Sequence, residues 1–276
     1  MIMYIEIGIL SFLFITGLCI GSFLNVVVYR IPFSLLNYQE GIFNISWPPS
    51  HCTSCKNKIL KRDNIPVLSW LLLKGQCRFC GSVISSRYPI IEFITGMFFS
   101  VTGLLMLDFL NQQPLLVISV LFLFSVLLCL SVIDFDHLLL PDNLVFTLLW
   151  TGILAATFEV SHIHLKDAVI GVCGTWLILT VTTYLFTVIR KREGLGGGDV
   201  KLISALAAWI GWYNIPVLIV LSSIIGGGFF MCNKRKFEVT INNETRSCHV
   251  IPFGPAISLS GFVVYLLTIN DINIIM

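Results

Sequence analysis

The chain has 276 residues, of which 56% are hydrophobic and only 12% are charged, and its mean hydropathy is +0.91. A soluble domain carries about 25% charged residues, so this composition excludes a water-soluble globular protein. The formal net charge of +2 is small, and the distribution of the basic residues is more informative than their total.

Eight apolar stretches follow one another along the chain and predict an all-α polytopic membrane protein with about eight transmembrane helices. A span needs about 20 apolar residues to cross ~30 Å of hydrocarbon. The start of the chain has no basic region and no small-residue cleavage site of a signal peptide, so we expect the first span to be retained. The predicted spans are 5–28, 89–108, 114–133, 143–160, 168–189, 201–213, 215–231 and 252–270.

The stretch 201–213 is the weakest of these predictions. Its residues rise only about 20 Å in a helix, which is less than the hydrocarbon thickness. Together with 215–231 it forms either two spans or a broken, re-entrant pair, and both alternatives return the chain to the same side. The predicted domains are a first transmembrane helix at 1–29, a polar loop domain at 30–88 and a membrane-embedded bundle at 89–276.

The basic residues predict the orientation. If the N-terminus lies outside, the loop 30–88 and the two later inside segments hold all but one of the 17 basic residues, the exception being Lys166. Because Lys and Arg accumulate on the cytoplasmic side, we expect the loop to be cytoplasmic.

Two Cys-x-x-Cys pairs lie in this loop, Cys52 with Cys55 and Cys77 with Cys80. Each pair places two thiolates to share one ion, and two pairs complete a tetrahedral structural zinc site. Two disulfides are the alternative, but a reducing cytosol disfavours them. Four cysteine ligands leave no open coordination position, so we predict a small cytoplasmic zinc-binding loop domain with a structural role.

Acidic residues cluster at two predicted cytoplasmic span ends. Asp134, Asp136 and Asp142 lie in the stretch 133–142, and Asp199 follows the glycines 196–198. Ionisable groups near membrane depth are costly and point to function. A carboxyl pair that shares one proton can activate water and protonate a leaving amine, so a membrane aspartic peptidase is one interpretation of two acidic motifs on the same side of the membrane.

Other polar residues have both structural and functional interpretations. Asp142 follows a proline, so we interpret it as a helix N-cap. Asp136 is alternatively a solvated charge at the membrane interface, and the glycines 196–198 are alternatively a flexible turn. Asn25 is alternatively the donor of an interhelical hydrogen bond. The residues assigned to substrate contact or site support are Asp136, Glu92, Gly196, Gly198, Lys201 and Asn25.

These motifs together resemble one family, the type IV prepilin leader peptidases, which are bacterial aspartic peptidases of the GxGD type. The resemblance runs from about residue 17 to the eighth span. The matching segments are Gly21-Ser-Phe-Leu-Asn-Val-Val-Val-Tyr-Arg30, the two cysteine pairs, Asn64-Ile-Pro-Val-Leu-Ser-Trp70, Ser86-Arg-Tyr-Pro-Ile-Ile-Glu92, Ile133-Asp through Leu140-Pro-Asp142, and Gly196-Gly-Gly-Asp-Val-Lys201.

The resemblance implies cleavage of the basic leader from prepilin or pseudopilin precursors at the cytoplasmic face of the bacterial inner membrane. It implies Asp134 and Asp199 as the catalytic acids. It also implies N-methylation of the new N-terminal residue with S-adenosylmethionine, for which the sequence locates no binding site. We expect the lipid bilayer and prepilin-like precursors as partners, and no nucleic acid.

Two other classes of protein account for part of the sequence. An ion-coupled transporter would use intramembrane acids as a relay, but it favours acids at the midplane of helix-broken repeats. A zinc-dependent assembly scaffold would need neither Asp134 nor Asp199 for function.

Overall fold

The computed structural model describes residues 2–36, 46–47, 49–191, 194–232, 237–241, 244–248 and 252–269. The chain forms two compact units, Met1–Ser125 and Val126–Met276, called here the N-terminal and C-terminal units. The helices are α1 (Ile2–Leu36), α2 (Leu68–Leu72), α3 (Arg87–Leu105), α4 (Leu107–Gln112), α5 (Pro114–His137), α6 (Asp142–Thr157), α7 (Leu165–Arg190), α8 (Gly197–Ile210), α9 (Ile215–Cys232) and α10 (Gly254–Ile269).

Close packing of α1 against α3 organises the N-terminal unit. At Gly17 an added Cβ would lie 2.8 Å from the Cα of Gly96, so the two backbones are nearly in contact. Small residues permit such an approach between helices in a membrane. The amide Nδ2 of Asn25 also donates to the carbonyl of Tyr88 over 3.1 Å, which is the interhelical bond considered from the sequence.

Side-chain hydrogen bonds order the polar segment between α1 and α3. It contains a 3₁₀ helix, Lys61–Asn64, and the short α2. The guanidinium of Arg78 makes two bonds of 2.6 and 2.7 Å to the carboxylate of Asp63, and this ion pair lowers the pKa of Asp63. The indole of Trp70 donates to the carbonyl of Ile84 over 3.1 Å. These contacts hold a segment that has little apolar core of its own.

Helix α8 lies at the centre of the C-terminal unit, against α6, α7 and α10. Val200 and all its residues from Leu202 to Ile210 are buried. The indole of Trp209 donates to the carbonyl of Leu148 over 2.8 Å and packs edge-on against Tyr265. The helix has 14 residues and spans about 21 Å, so it is too short to cross a bilayer alone. Protein surrounds it, which satisfies the requirement that no backbone be left exposed to lipid.

The described helices confirm a helical, multi-pass membrane protein. Five segments are long and apolar enough to cross a membrane, namely α1, α3, α5, α7 and Trp212–Met231. Helices α6 and α10 are apolar but have 16 residues each. Length and composition therefore support five spans directly, against about eight predicted, because α6, α8 and α10 are short.

Two local features differ from the predicted elements. Helix α1 continues to Leu36 rather than ending at 28, because helical hydrogen bonding extends beyond the uninterrupted apolar run and includes Pro32. An antiparallel hairpin of β1 (Phe237–Ile241) and β2 (Glu244–Cys248) lies in a part that was predicted to contain only helices and loops. The basic residues Arg192 and 234–236, used for the predicted orientation, lie outside the described residues.

Candidate active site and metal centre

The four predicted cysteines converge in the N-terminal unit. The Sγ atoms of Cys52, Cys55, Cys77 and Cys80 all lie within 4.8 Å of one another, and those of Cys52 and Cys80 are 3.9 Å apart. Tetrahedral zinc with Zn–S bonds of about 2.3 Å requires sulfur atoms about 3.8 Å apart. The geometry and the all-thiol donor set therefore fit a zinc ion.

Both cysteine pairs are built in the same way. The carbonyl of the first cysteine accepts a bond from the residue four positions later, Lys56 in one pair and Gly81 in the other, at 3.0 and 2.9 Å. Both of these residues have positive φ, 60° and 69°, which turns the chain around the thiols. In the sequence, the shared Cys-x-x-Cys spacing was the one sign that the two pairs have the same turn structure.

Hydrogen bonds favour the thiolate form at part of the cluster. The pKa of Cys52 is lowered to about 5, first by the backbone of Cys55 and then by the hydroxyl of Ser82. The same hydroxyl lowers the pKa of Cys80. The pKa of Cys55 is raised to about 11, since the backbone bond from Asn57 is outweighed by desolvation and by the other thiols. A metal that binds all four thiolates must therefore displace the proton of Cys55.

Asp134 lies in the last turn of α5 and is buried, with 6% of its surface exposed. Its Oδ2 accepts the backbone N–H of Gly254, the first residue of α10, over 2.8 Å. A Cβ on Gly254 would lie 2.8 Å from the same oxygen and 2.9 Å from Cγ. Only glycine lets α10 begin this close to the carboxylate.

Asp199 lies in the first turn of α8, in the same unit as Asp134. The first glycine of the motif, Gly196, caps the helix, and a Cβ there would lie 3.1 Å from Oδ2 of Asp199. A Cβ on Gly198 would lie 3.1 Å from Cβ of Leu140. The glycines thus permit the start of α8 to approach both its own carboxylate and the loop that follows α5.

Lys201 and Asp142 join the two acidic motifs. The Lys201 ammonium lies 2.7 Å from one carboxylate oxygen of Asp142, and both side chains are partly exposed. The interpretation of Asp142 as an N-cap is wrong, because Pro141 occupies that position and no side chain caps the helix. Asp142 is the first helical residue, and its carboxylate is directed to Lys201.

The other predicted residues are separated between the two units. Asp136 is half-buried two residues after Asp134. Glu92 and Asn25 lie in the N-terminal unit, where Oε2 of Glu92 accepts the backbone N–H of Val67 over 2.7 Å. Glu92 and Asn25 therefore belong to the N-terminal unit, and the motifs that contain Asp134 and Asp199 belong to the C-terminal unit.

Sequence reasoning did not select Gly254 or Val67. Gly254 lies between two prolines at the start of a predicted span. The prolines indicate that a helix begins there, and the glycine indicates that its backbone can approach another group closely. Nothing near Val67 in the sequence indicates that its N–H bonds to a carboxylate 25 residues later.

The fold and the two sites define a multi-pass membrane protein with a four-cysteine centre and a pair of acidic motifs that meet in one helical unit. The sequence profile described as Bacterial Peptidase A24 N-terminal domain matches residues 15–106. The profile of the Type IV leader peptidase family matches residues 121–231. The chain belongs to the type IV leader peptidase family, and it is an enzyme of that family.

Similar curated proteins cover nearly the whole chain. The "Prepilin leader peptidase/N-methyltransferase" of Dickeya chrysanthemi is 35% identical over 90% of this chain and 89% of its own length. The protein of that name from Klebsiella pneumoniae is 43% identical over 77% of this chain and 90% of its own length. The "Type 4 prepilin-like proteins leader peptide-processing enzyme" of Escherichia coli O78:H11 is 36% identical over 91% of both chains. No solved structure matches significantly.

Proposed function

We propose that this protein removes the leader peptide from type IV prepilin-like precursors and then methylates the new N-terminal amine. The observation that carries the proposal is the meeting of the two acidic motifs in one helical unit. Gly198 lies against Leu140, and Lys201 pairs with Asp142. The names of the similar proteins support the choice of substrate.

The proposed hydrolysis uses the two carboxyl groups without a covalent intermediate. One group is ionised and removes a proton from water, while the other is protonated and donates a hydrogen bond to the scissile carbonyl. The proton taken from water then passes to the leaving amine. Because the pair titrates as a unit, the base and the acid are roles of the pair rather than of a named residue.

The remaining acid and the glycines suit a basic, extended leader. Asp136 lies one helical half-turn from Asp134 and provides negative charge for the leader. Gly196 adds no side chain beside the carboxylate of Asp199, whereas Gly198 packs against Leu140 and lets the start of α8 approach that loop. Peptide strands bind through their backbone where another backbone is accessible, and we assign Gly196 to that contact and Gly198 to support of the site.

We place the active site on the cytoplasmic side of the bacterial inner membrane, with the N-terminus outside and eight helices in or across the bilayer. The five long apolar helices support a multi-pass arrangement. The basic residues of 30–88 support a cytoplasmic loop domain. The helix ends that carry Asp134 and Asp199 then face the same side as that domain.

The metal and the methyl donor have separate roles in the proposal. Zinc held by Cys52, Cys55, Cys77 and Cys80 stabilises the loop domain, because four protein ligands leave no position for a substrate. S-adenosylmethionine supplies an electrophilic methyl group when bound. The new N-terminal amine would be the group that accepts this methyl.

Co-expression with a prepilin tests the peptidase, with leader removal followed by gel shift. We expect cleavage by the unaltered protein and none by well-expressed Asp134→Asn or Asp199→Asn. Asp108→Asn is the matched control, because Asp108 is an exposed acid on α4. Undiminished cleavage in either active-site variant would remove that carboxylate from the mechanism.

The same variants separate the peptidase from the other two classes. A scaffold predicts that both isosteric changes preserve function. A transporter predicts no leader removal by any variant, and family membership does not favour it.

A further inference from the structure

Two buried hydroxyl groups on α10 have no part in the hydrolysis described above. They belong to Ser258 and Ser260, which are 3% and 0% exposed, and neither Oγ has a hydrogen-bond partner among the described residues. Other buried serines bond to their own helix, since Ser125 and Ser204 each donate to the carbonyl four residues earlier over 2.7 Å. A buried hydroxyl without a partner costs stability, so its retention indicates that another group binds there.

Ser258 lies on the face of α10 that contacts the active site. Gly254, one turn before it, donates its N–H to Asp134. A Cβ on Gly261, three residues after it, would lie 2.6 Å from Cδ1 of Leu206 in α8. Positions 254, 258 and 261 of a helix fall within a stripe about 60° wide. Ser258 therefore lies between the contact of α10 with Asp134 and its contact with α8.

Helix geometry sets the distance from Ser258 to the carboxylate of Asp134. The Cβ positions of residues 254 and 258 are about 5–6 Å apart, and a Cβ on Gly254 would lie 2.8 Å from Oδ2 of Asp134. Side chains on a helix lean toward its N-terminus, so the Ser258 hydroxyl is directed back toward the level of Gly254. Two hydrogen bonds through one water span about 5.5 Å, which suits the separation of these two groups.

The second carboxyl group faces the same space. Asp199 and Leu206 are seven residues apart in α8 and share one face of that helix. Gly254 and Gly261 have the same spacing in α10, and Leu206 contacts Gly261. Both helices begin beside the end of α5, so they run in the same direction and Asp199 lies near the level of Gly254. A water beside Ser258 therefore has three polar partners, which is the usual number for a buried water.

We propose that the hydroxyl of Ser258 holds the water molecule that is consumed in peptide cleavage. The ionised carboxyl group removes a proton from this water, and the water oxygen forms a bond to the scissile carbonyl carbon. The carbon–nitrogen bond then breaks as the proton passes to the leaving amine, and Ser258 forms no covalent bond. The inference rests on the proposed peptidase function and adds a third polar group to the carboxyl pair.

Steady-state cleavage of a purified prepilin by the full chain in detergent tests this role. We expect Ser258→Ala to lower kcat about tenfold and to leave KM within about twofold, because the hydroxyl acts on water rather than on the precursor. Ser260→Ala is the matched control. It removes the same buried group from the same helix, about 200° around the axis from Ser258, and should cleave as the unaltered protein does.

A second pair of variants separates the hydroxyl from the packing. The side chains of Ser258→Thr and Ser258→Val have the same shape, and one has a hydroxyl where the other has a methyl group. We expect the threonine variant to have a kcat at least about fivefold higher than the valine variant. A melting temperature for each variant shows whether it is folded. If the two larger side chains prevent folding, the two alanine variants decide the question.

Each outcome supports or overturns the role of Ser258. A hydroxyl with no function only costs stability, so Ser258→Ala would then melt at or above the temperature of the unaltered protein and keep its kcat within about twofold. That result overturns the proposal and leaves the peptidase standing. Equal losses in both alanine variants, equal kcat for threonine and valine, or a change in KM alone also overturn it. No cleavage by the unaltered protein contradicts the peptidase and this role together.

Discussion

Replacement of Gly254 by alanine is the sharpest structural test of the site around Asp134. The new Cβ would lie 2.8 Å from Oδ2, 2.9 Å from Cγ and 3.0 Å from Cβ of Asp134. Restoring an ordinary contact of 3.4 Å moves one of the two groups by about 0.6 Å. The same movement lengthens the 2.8 Å hydrogen bond from the Gly254 N–H to the carboxylate.

The expected losses of stability and of catalytic rate follow from these two effects. Overpacking a buried position costs about 1–3 kcal/mol of stability. A misplacement of about 1 Å in a catalytic group reduces the rate by about 100-fold, so a shift somewhat smaller than this predicts a roughly 10–100-fold decrease in kcat/KM for leader cleavage. The decrease in kcat/KM should be larger than the decrease in the fraction of folded protein.

Steady-state cleavage of a purified prepilin, with a melting temperature for each variant, measures both effects. Gly228→Ala in α9 is the matched control, because nothing lies within 4 Å of its added Cβ. We expect the control to cleave like the unaltered protein. A Gly254→Ala enzyme with kcat/KM within about twofold of the unaltered value would refute the close approach of α10 to Asp134.

Three further predictions concern the metal centre, the helix packing and the ion pair. Cys77→Ser should lose the bound zinc measured by elemental analysis and lower the melting temperature, whereas the exposed Cys173→Ser should retain one zinc per chain. Gly17→Ala should destabilise the protein by about 1–3 kcal/mol in a detergent melt, because the added Cβ lies 2.8 Å from the Gly96 backbone. Gly8→Ala is the control and should leave the stability unchanged, because no atom lies within 4 Å of its added Cβ. Lys201→Met should change stability by less than about 1 kcal/mol, since its ion pair is exposed; a larger loss would show that it does more than pair with Asp142.

Local patterns predicted the features that depend on short sequence separations. The spacing within each cysteine pair is enough to define a turn around two thiols, and only 21 residues separate the two pairs. The predicted four-cysteine cluster is accordingly confirmed by the Sγ separations. Long apolar runs identified α3, α5 and α7 to within a few residues, because a helix in lipid needs no partner to make its hydrogen bonds.

Contacts between distant segments could not be predicted in the same way. The bond from Gly254 to Asp134 joins residues 120 positions apart, and the sequence around Gly254 contains no acid. The bond from Val67 to Glu92 depends on a strained turn that intrinsic propensity disfavours. Helix α8 was predicted four residues too late, because its first turn is made of glycines that composition assigns to a loop.

The intact mass of a prepilin incubated with the purified chain tests the central claim most directly. The account predicts that the unaltered protein converts the precursor to the mass without its leader, and that Asp134→Asn and Asp199→Asn leave the precursor uncleaved while Asp108→Asn converts it. Conversion by either active-site variant at a rate within about tenfold of the unaltered protein would contradict the paired-carboxylate mechanism, because loss of one member of a catalytic unit costs far more.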